Sequence, residues 1–151
     1  MDGDPPVVDG LEEFLALSAL QNRPTDETIE GFVRRARAGG LSVARLMVGW
    51  RLLDPLYMSQ SVYWTEETGI VLDRFRHGEA MSSEEFVRSP IWHVLRNDVE
   101  EMRQRIDGTN EPFEFALYDD LRREGFTDYL ISKIGFGSPP PAAAGQAGGN
   151  V

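Results

Sequence analysis

Between residues 29 and 52 the apolar period of the chain changes from that of a helix to that of a strand, and this switch limits the fold more than any other feature. Ile29, Phe32, Val33 and Ala36 fall at i, i+3, i+4 and i+7, one face of a helix. Thr25 is placed to cap that helix, and Asp26 and Glu27 occupy its first turn, where the helix dipole favours acids. Arg34, Arg35 and Arg37 stay mostly off the apolar stripe, and Gly39-Gly40 supplies the stop. From Ser42 the period is two. Leu46, Val48, Trp50 and Leu52 share one face of a strand; Arg45, Met47, Gly49 and Arg51 share the other. Asp54-Pro55 ends it. Both periods side by side predict an α+β fold.

The flanking segments extend this pattern. Asp9 reads as an N-cap with Glu12 three residues on, opening a helix with Leu11, Phe14, Leu15 and Ala19 on its apolar stripe. "QSVYWTEETG" and "IVLDRFRHG" read as two strands joined by a turn near Glu67-Thr68-Gly69. Ser82 with Glu85 forms a second capping box, and Ser89-Pro90 opens a short helix over 91–96. "VEEMRQRIDG" fits either period; the turn signals Asn97-Asp98 and Asp107-Gly108 around it favour a strand. Pro112 opens a helix carrying Phe115, Tyr118 and Leu121, closed by Gly125, and a strand is expected over 128–136. The order is α-α-β-β-β-α-β-α-β, with a largely antiparallel sheet. Residues 1–8 are expected to be flexible, 9–137 to form one domain, and 138–151, "SPPPAAAGQAGGNV", to be a disordered Pro/Ala/Gly tail.

Composition removes several functions. A net charge of −10 argues against nucleic-acid binding and against docking on an anionic membrane. With no cysteine, thiolate catalysis, disulfides and zinc–thiolate sites are excluded. "MDGDPPVVDG" has neither a basic n-region nor a long apolar core, and no apolar run reaches the ~18 residues of a membrane span, so the cytoplasm is the expected location. A chain of 151 residues is long enough to bury a real core.

No nucleophile elbow, Walker loop or dinucleotide fingerprint is present, and no cofactor or metal is expected. His77 and His93 have no ligand spacing. His77 reads as a strand-end residue beside Gly78 and Glu79, and His93 as packing beside Trp92. Asp119-Asp120 are helix neighbours that do not face each other, and read as a solvated face. The aromatic residues Trp50, Tyr57, Tyr63, Trp64, Phe75 and Trp92 are the better candidates. Their plain reading is core; the sharper one is an aromatic-lined face for a small planar ligand. Arg45 and Arg51, opposite Trp50 in face, could hold an anion. The expected ligand site is therefore Arg45, Trp50, Arg51, Tyr63, Trp64, Phe75, His77 and Trp92.

"FVRRARAGGLSVARLMVGWRLLDPLYMSQSVYW" begins an ordered set of landmarks. The set comprises the helix ending Gly39-Gly40-Leu41, the strand with Arg45, the Leu53-Asp54-Pro55 turn and Trp64. "FRHG", "SPIWHVL", "RQRIDG" and "LRREGFTDYL" follow. Over residues 11–137 the chain resembles the N-terminal sensor-like domain that precedes the catalytic domain in a group of bacterial class III adenylate/guanylate cyclases. It departs from them at Asp54, where the family turn has histidine. The resemblance implies a GAF-like central antiparallel sheet with helices on one side, used for small-molecule sensing or dimer contact. Family members continue past the strand at 128–136 with another strand, a helix and the cyclase domain, so the last strand and helix are expected to be missing here. No set of metal-binding aspartates and purine-reading residues is evident. The resemblance thus implies a non-catalytic regulatory domain in cyclic-nucleotide signalling, with a small-molecule ligand or a homodimer formed through its first helices as partner. The alternatives are a ligand-free protein-interaction module and, behind both, a small enzyme using His77 and its acidic neighbours.

Overall fold

The computed structural model describes residues 10–78, 83–108 and 112–135. The chain divides into two compact units, Met1–Met81 and Ser82–Val151, and it is mixed α+β in both. The N-terminal segment expected to be flexible and the tail expected to be disordered fall outside the described residues, and the N-caps of the first and third helices are Gly10 and Ser83 rather than Asp9 and Ser82.

The first unit opens with α1 (Leu11–Leu20) and α2 (Thr25–Ala38). α1 starts from Gly10 in the left-handed conformation. It buries Phe14 and Ser18, with Leu11 half-buried, whereas Leu15 and Ala19 point outward. The expected stripe is thus rotated toward Ser18. α1 is apolar around most of its circumference, so periodicity alone does not choose its inner side. Phe14 packs on α2 at Gly31, with the Arg35 guanidinium 3.8 Å and that of Arg23 5.6 Å from its ring centre.

α2 buries Ile29, Gly31, Val33 and Ala36. Its N-cap is Pro24 rather than Thr25, which is the first helical residue; the Thr28 hydroxyl donates to the Pro24 carbonyl at 2.9 Å. The stop is a Schellman motif. Gly40 has φ +96°, its N–H donates to Arg37 O, and Leu41 N–H donates to Ala36 O, both at 3.0 Å.

β1 (Arg45–Arg51), β2 (Tyr57–Thr65) and β3 (Gly69–Arg76) form an antiparallel meander in that order. β1 alternates half-buried and exposed as its sequence requires. Asp54 builds the first connection by accepting from the N–H groups of Leu56 at 2.8 Å and Tyr57 at 3.0 Å. Thr65 and Thr68 bond side chain to side chain at 2.7 Å in the second, before Gly69 at φ +64°. A bulge adds Met58 to β2, so that Ser59 faces Phe75 while Tyr57 faces Arg76.

In the second unit, α3 (Glu84–Val87) is capped by Ser83, whose hydroxyl accepts from Phe86 N–H at 3.2 Å. α4 (Pro90–Arg96) carries Pro90 in its first turn and is capped by Ser89 in the same way, from Trp92 N–H at 3.2 Å. The ambiguous segment is a strand, β4 (Glu101–Arg105). α5 (Ala116–Arg123) starts after Phe115, four residues past Pro112, and ends in a second Schellman motif at Gly125, φ +89°. β5 (Asp128–Ser132) is shorter than its apolar run.

β4 and β5 pair antiparallel with Glu101 opposite Ser132 and Arg105 opposite Asp128. Among the described residues the strands therefore form two sheets, three-stranded and two-stranded, where one central sheet was expected. Alternation reveals the faces of a strand but not its partner, and β5 finds its partner in β4. Ile106, Phe115, Tyr118 and Leu121 form the core of this unit, ringed by Met102, Phe113, Leu117, Phe126 and Tyr129. Tyr118 meets Phe113, Phe115 and Tyr129 edge-on, with ring centres 5.4–5.8 Å apart. Burying each such side chain stabilises the fold by roughly 1.5–3 kcal/mol. No described helix is long and apolar enough to cross a membrane.

Candidate functional site

Residues directly opposite in an antiparallel ladder share a face. Leu46 is opposite Trp64, Val48 opposite Val62, and Trp50 opposite Gln60; across β3 these continue to Ile70, Leu72 and Arg74. This is the helix side of the sheet: Val62 is buried and Arg37 of α2 lies 6.0 Å over the Trp64 ring. Arg74 donates to Gln60 at 2.9 Å and lies 5.8 Å from the Tyr57 ring centre.

The other face carries four rows. Arg51, Ser59 and Phe75 form one, Gly49, Ser61 and Asp73 the next, Met47, Tyr63 and Val71 the third, and Arg45, Thr65 and Gly69 the last. The Gly49–Ser61 row is low. Gly49 has no side chain, and Ser61 is buried with a relative exposure of 8%. A Cβ on Gly49 would stand 3.2 Å from the Ser61 hydroxyl. A shallow slot thus runs over β1 and β2 between Tyr63 and Met47 on one side and Phe75 and Arg51 on the other, and ends on β3 at the exposed Asp73.

The eight expected site residues do not meet at one place. Arg45, Arg51, Tyr63 and Phe75 share the slotted face. Trp50 and Trp64 lie on the helix side, because odd and even positions of a regular strand point apart. Trp92 belongs to the second unit. His77 follows β3, donates from Nε2 to the Asp54 carbonyl at 3.0 Å, and bonds by its own N–H to Leu56 O at 3.3 Å. Its role in the structure is to tie the β1–β2 connection to the end of β3. Asp54 is held below the ordinary carboxylate range by the N–H groups of Tyr57 and Leu56, and the Arg74 and His77 charges act in the same direction.

Open hollows among the described residues lie elsewhere. One of about 330 Å³ lies at the α2–β1 connection, lined by Gly40 to Ala44 with the Arg37–Glu66 ion pair (3.2 Å) at its edge. Another, about 290 Å³, lies in the second unit beside Ser89, Trp92, His93, Arg96 and Phe115. There the His93 ring meets Phe115 edge-on at 5.5 Å. The Trp92 indole N–H is buried without a hydrogen-bond partner among the described residues. Asp119 and Asp120 diverge to separate arginines, Arg122 at 3.1 Å and Arg123 at 2.7 Å. Among the described residues no group of three or more His, Asp or Glu side chains is close enough to hold a metal ion.

The low row is the part of the site that residue-type reasoning passed over. Its signal was two small residues, Gly49 and Ser61, each at the middle of a strand and each on the arginine-bearing parity. No family model, curated protein or solved structure matches the chain.

Proposed function

We propose that this chain is a non-catalytic regulatory domain related to the N-terminal regions of bacterial class III cyclases. It acts in cyclic-nucleotide signalling in the cytoplasm by binding a small planar anion on its first sheet. One observation carries the reading. The slotted face places the guanidinium-bearing Arg45 and Arg51 and the rings of Tyr63 and Phe75 on one surface, around a row that carries almost no side-chain bulk at Gly49 and Ser61 and ends on β3 at Asp73. Guanidinium groups take carboxylate or phosphate oxygens, and the rings supply apolar faces for a flat body. The order of landmarks from the α2 stop to "LRREGFTDYL" supports the relationship to the cyclase regions. In that order β5 is the strand after which those proteins continue with a further strand, a helix and the catalytic domain.

The test is a thermal-shift screen of the whole chain with nucleotides and small aromatic carboxylates. At a hundred times its dissociation constant a ligand adds about 2.7 kcal/mol to the folded state. At least one compound should raise the melting temperature, and Arg51→Ala should abolish the rise without changing the ligand-free melting point. A flat result across the panel, or an undiminished shift in Arg51→Ala, overturns the proposal.

A further inference from the structure

The two edges of the β4–β5 sheet differ in a way that selects a partner. Lys133 N–H donates to Glu100 O at 2.8 Å and Ile106 N–H to Thr127 O at 2.8 Å, continuing the ladder at both ends of β5. In an antiparallel pair the inward-bonding positions alternate with outward-pointing ones. Positions 127, 129, 131 and 133 therefore turn their backbone groups toward β4. The N–H and C=O of Asp128, Leu130 and Ser132 point to the outer edge, where no hydrogen bond to a described residue meets them. By the same parity the outer edge of β4 presents Glu101, Arg103 and Arg105.

The β4 edge is blunted. It carries a charge at every outward position, and the Arg105 carbonyl already accepts from the Gln104 side chain at 2.8 Å. Charged residues along an edge are a common defence against strand addition. The β5 edge lacks that defence. Its central outward residue is Leu130, 59% exposed, and Ile134 just beyond is 75% exposed. Its one charge, Asp128, is already held by Arg103 through two contacts of 3.0–3.1 Å to Nε.

We propose that the outer edge of β5 is a self-association surface, and that its occupant is β5 of a second copy of this chain, antiparallel across a two-fold axis. The sequence of β5 fits itself. With Leu130 opposite Leu130 of the partner copy, Asp128 stands opposite Ser132 in both directions. Outward backbone groups then meet outward ones along the whole strand, and no like charges are opposed. A two-fold contact of this kind closes on itself and yields a dimer rather than a fibre. The same operation on β4 would set Arg103 against Arg103, which is unfavourable. The resemblance to cyclase regions suggests dimer contact through the first helices; the backbone of the second unit points to β5 instead. The inference is independent of ligand binding on the first sheet.

The experiment uses the whole chain and its lack of cysteine. Sedimentation equilibrium should show reversible dimers at concentrations up to about 1 mM. Leu130→Lys opposes two ammonium groups at the axis and should weaken the dimer at least about tenfold, with circular dichroism and melting unchanged. Paired residues at an antiparallel hydrogen-bonded position lie ~5.5 Å apart at Cα, within disulfide reach. Leu130→Cys should therefore cross-link to a covalent dimer on mild oxidation, and Arg103→Cys should not. This arm decides the question even if the lysine variant fails to fold. A wild-type chain that stays monomeric at the highest concentration overturns the proposal. So does a folded Leu130→Lys that dimerises as tightly as wild type, or an Arg103→Cys that cross-links as fully as Leu130→Cys.

Discussion

The Phe14 ring of α1 occupies the space that a side chain on Gly31 of α2 would need. A Cβ at Gly31 would overlap the Cζ of that ring and stand 3.1 and 3.2 Å from its Cε atoms. The two helices are joined where one residue has the largest side chain on its inner stripe and the other has none. Gly31 sits inside a helix, where glycine costs roughly 0.5–1 kcal/mol relative to alanine, so packing must outweigh propensity here.

Gly31→Ala is therefore expected to destabilise the protein by about 1–2 kcal/mol net, despite its gain in helix propensity. Chemical denaturation should show this directly. Phe14→Leu in the same chain should recover part of the loss, a coupling that a double-mutant cycle would measure.

Gly40→Ala should cost about 1 kcal/mol, because the residue holds φ +96° in the Schellman motif and a Cβ is disfavoured there. Nothing stands within 4 Å of the added carbon, so the loss is conformational rather than steric. Gly40→Asn should lose less than Gly40→Ala. Equal losses in the two variants would show that backbone conformation is not the cause.

Tyr118 is buried, and its hydroxyl has no hydrogen-bond partner among the described residues. Burial pushes its pKa up to about 12 from 10.0. Because the folded value lies above the unfolded one, the stabilising difference is complete below pH 10 and is lost as pH rises toward 12. Tyr118→Phe should leave stability at neutral pH unchanged or raise it by up to about 1 kcal/mol. The variant should also lose less stability than wild type between these pH values. A strongly destabilised Tyr118→Phe would mean that the hydroxyl has a partner.

Asp54, Asp98 and Asp107 all have lowered pKa values, held respectively by the Tyr57 and Leu56 N–H groups, by Lys133 and by Arg105. Their contribution is present above the ordinary aspartate value of 3.8 and is lost as pH falls through the lower folded values. The melting temperature should thus drop more steeply below that pH than above it. Asp54→Asn should flatten part of the drop while keeping an oxygen for the turn, and Asp54→Ala should lower the melting temperature at neutral pH as well.

How far the sequence announced this fold depends on what each segment had to contrast. β1 was legible because Leu46, Val48 and Trp50 alternate with residues of different character, and its observed burial follows that alternation. α2 was legible for the same reason at period 3.6, down to its glycine stop. α1 was not, since leucines and alanines surround it and only packing against Gly31 selects the Phe14–Ser18 side. The start of α5 was misplaced because Pro112 is a permissive signal, whereas the helix begins after Phe115. Pairing lay furthest from view. Nothing local in residues 128–132 says that they join β4 in a sheet of their own. The candidate site suffered likewise: Tyr63 and Trp64 are adjacent in a strand and so part to opposite faces, while only register shows that Tyr63 joins Met47 and Phe75 joins Arg51 in face.

The bulge at Met58 divides β2 into two stretches of opposite parity. With that extra residue between them, Tyr57 stands beside Arg74 on the helix side while Ser59 lies on the slotted face. Were that residue lost, Tyr57 would directly precede Ser59 in a regular ladder and keep its place opposite Arg76 on the helix side. A single-codon deletion at this spot would therefore straighten the strand without changing which side chain lies on which face. The same deletion elsewhere in β2 would turn every residue beyond it to the opposite face.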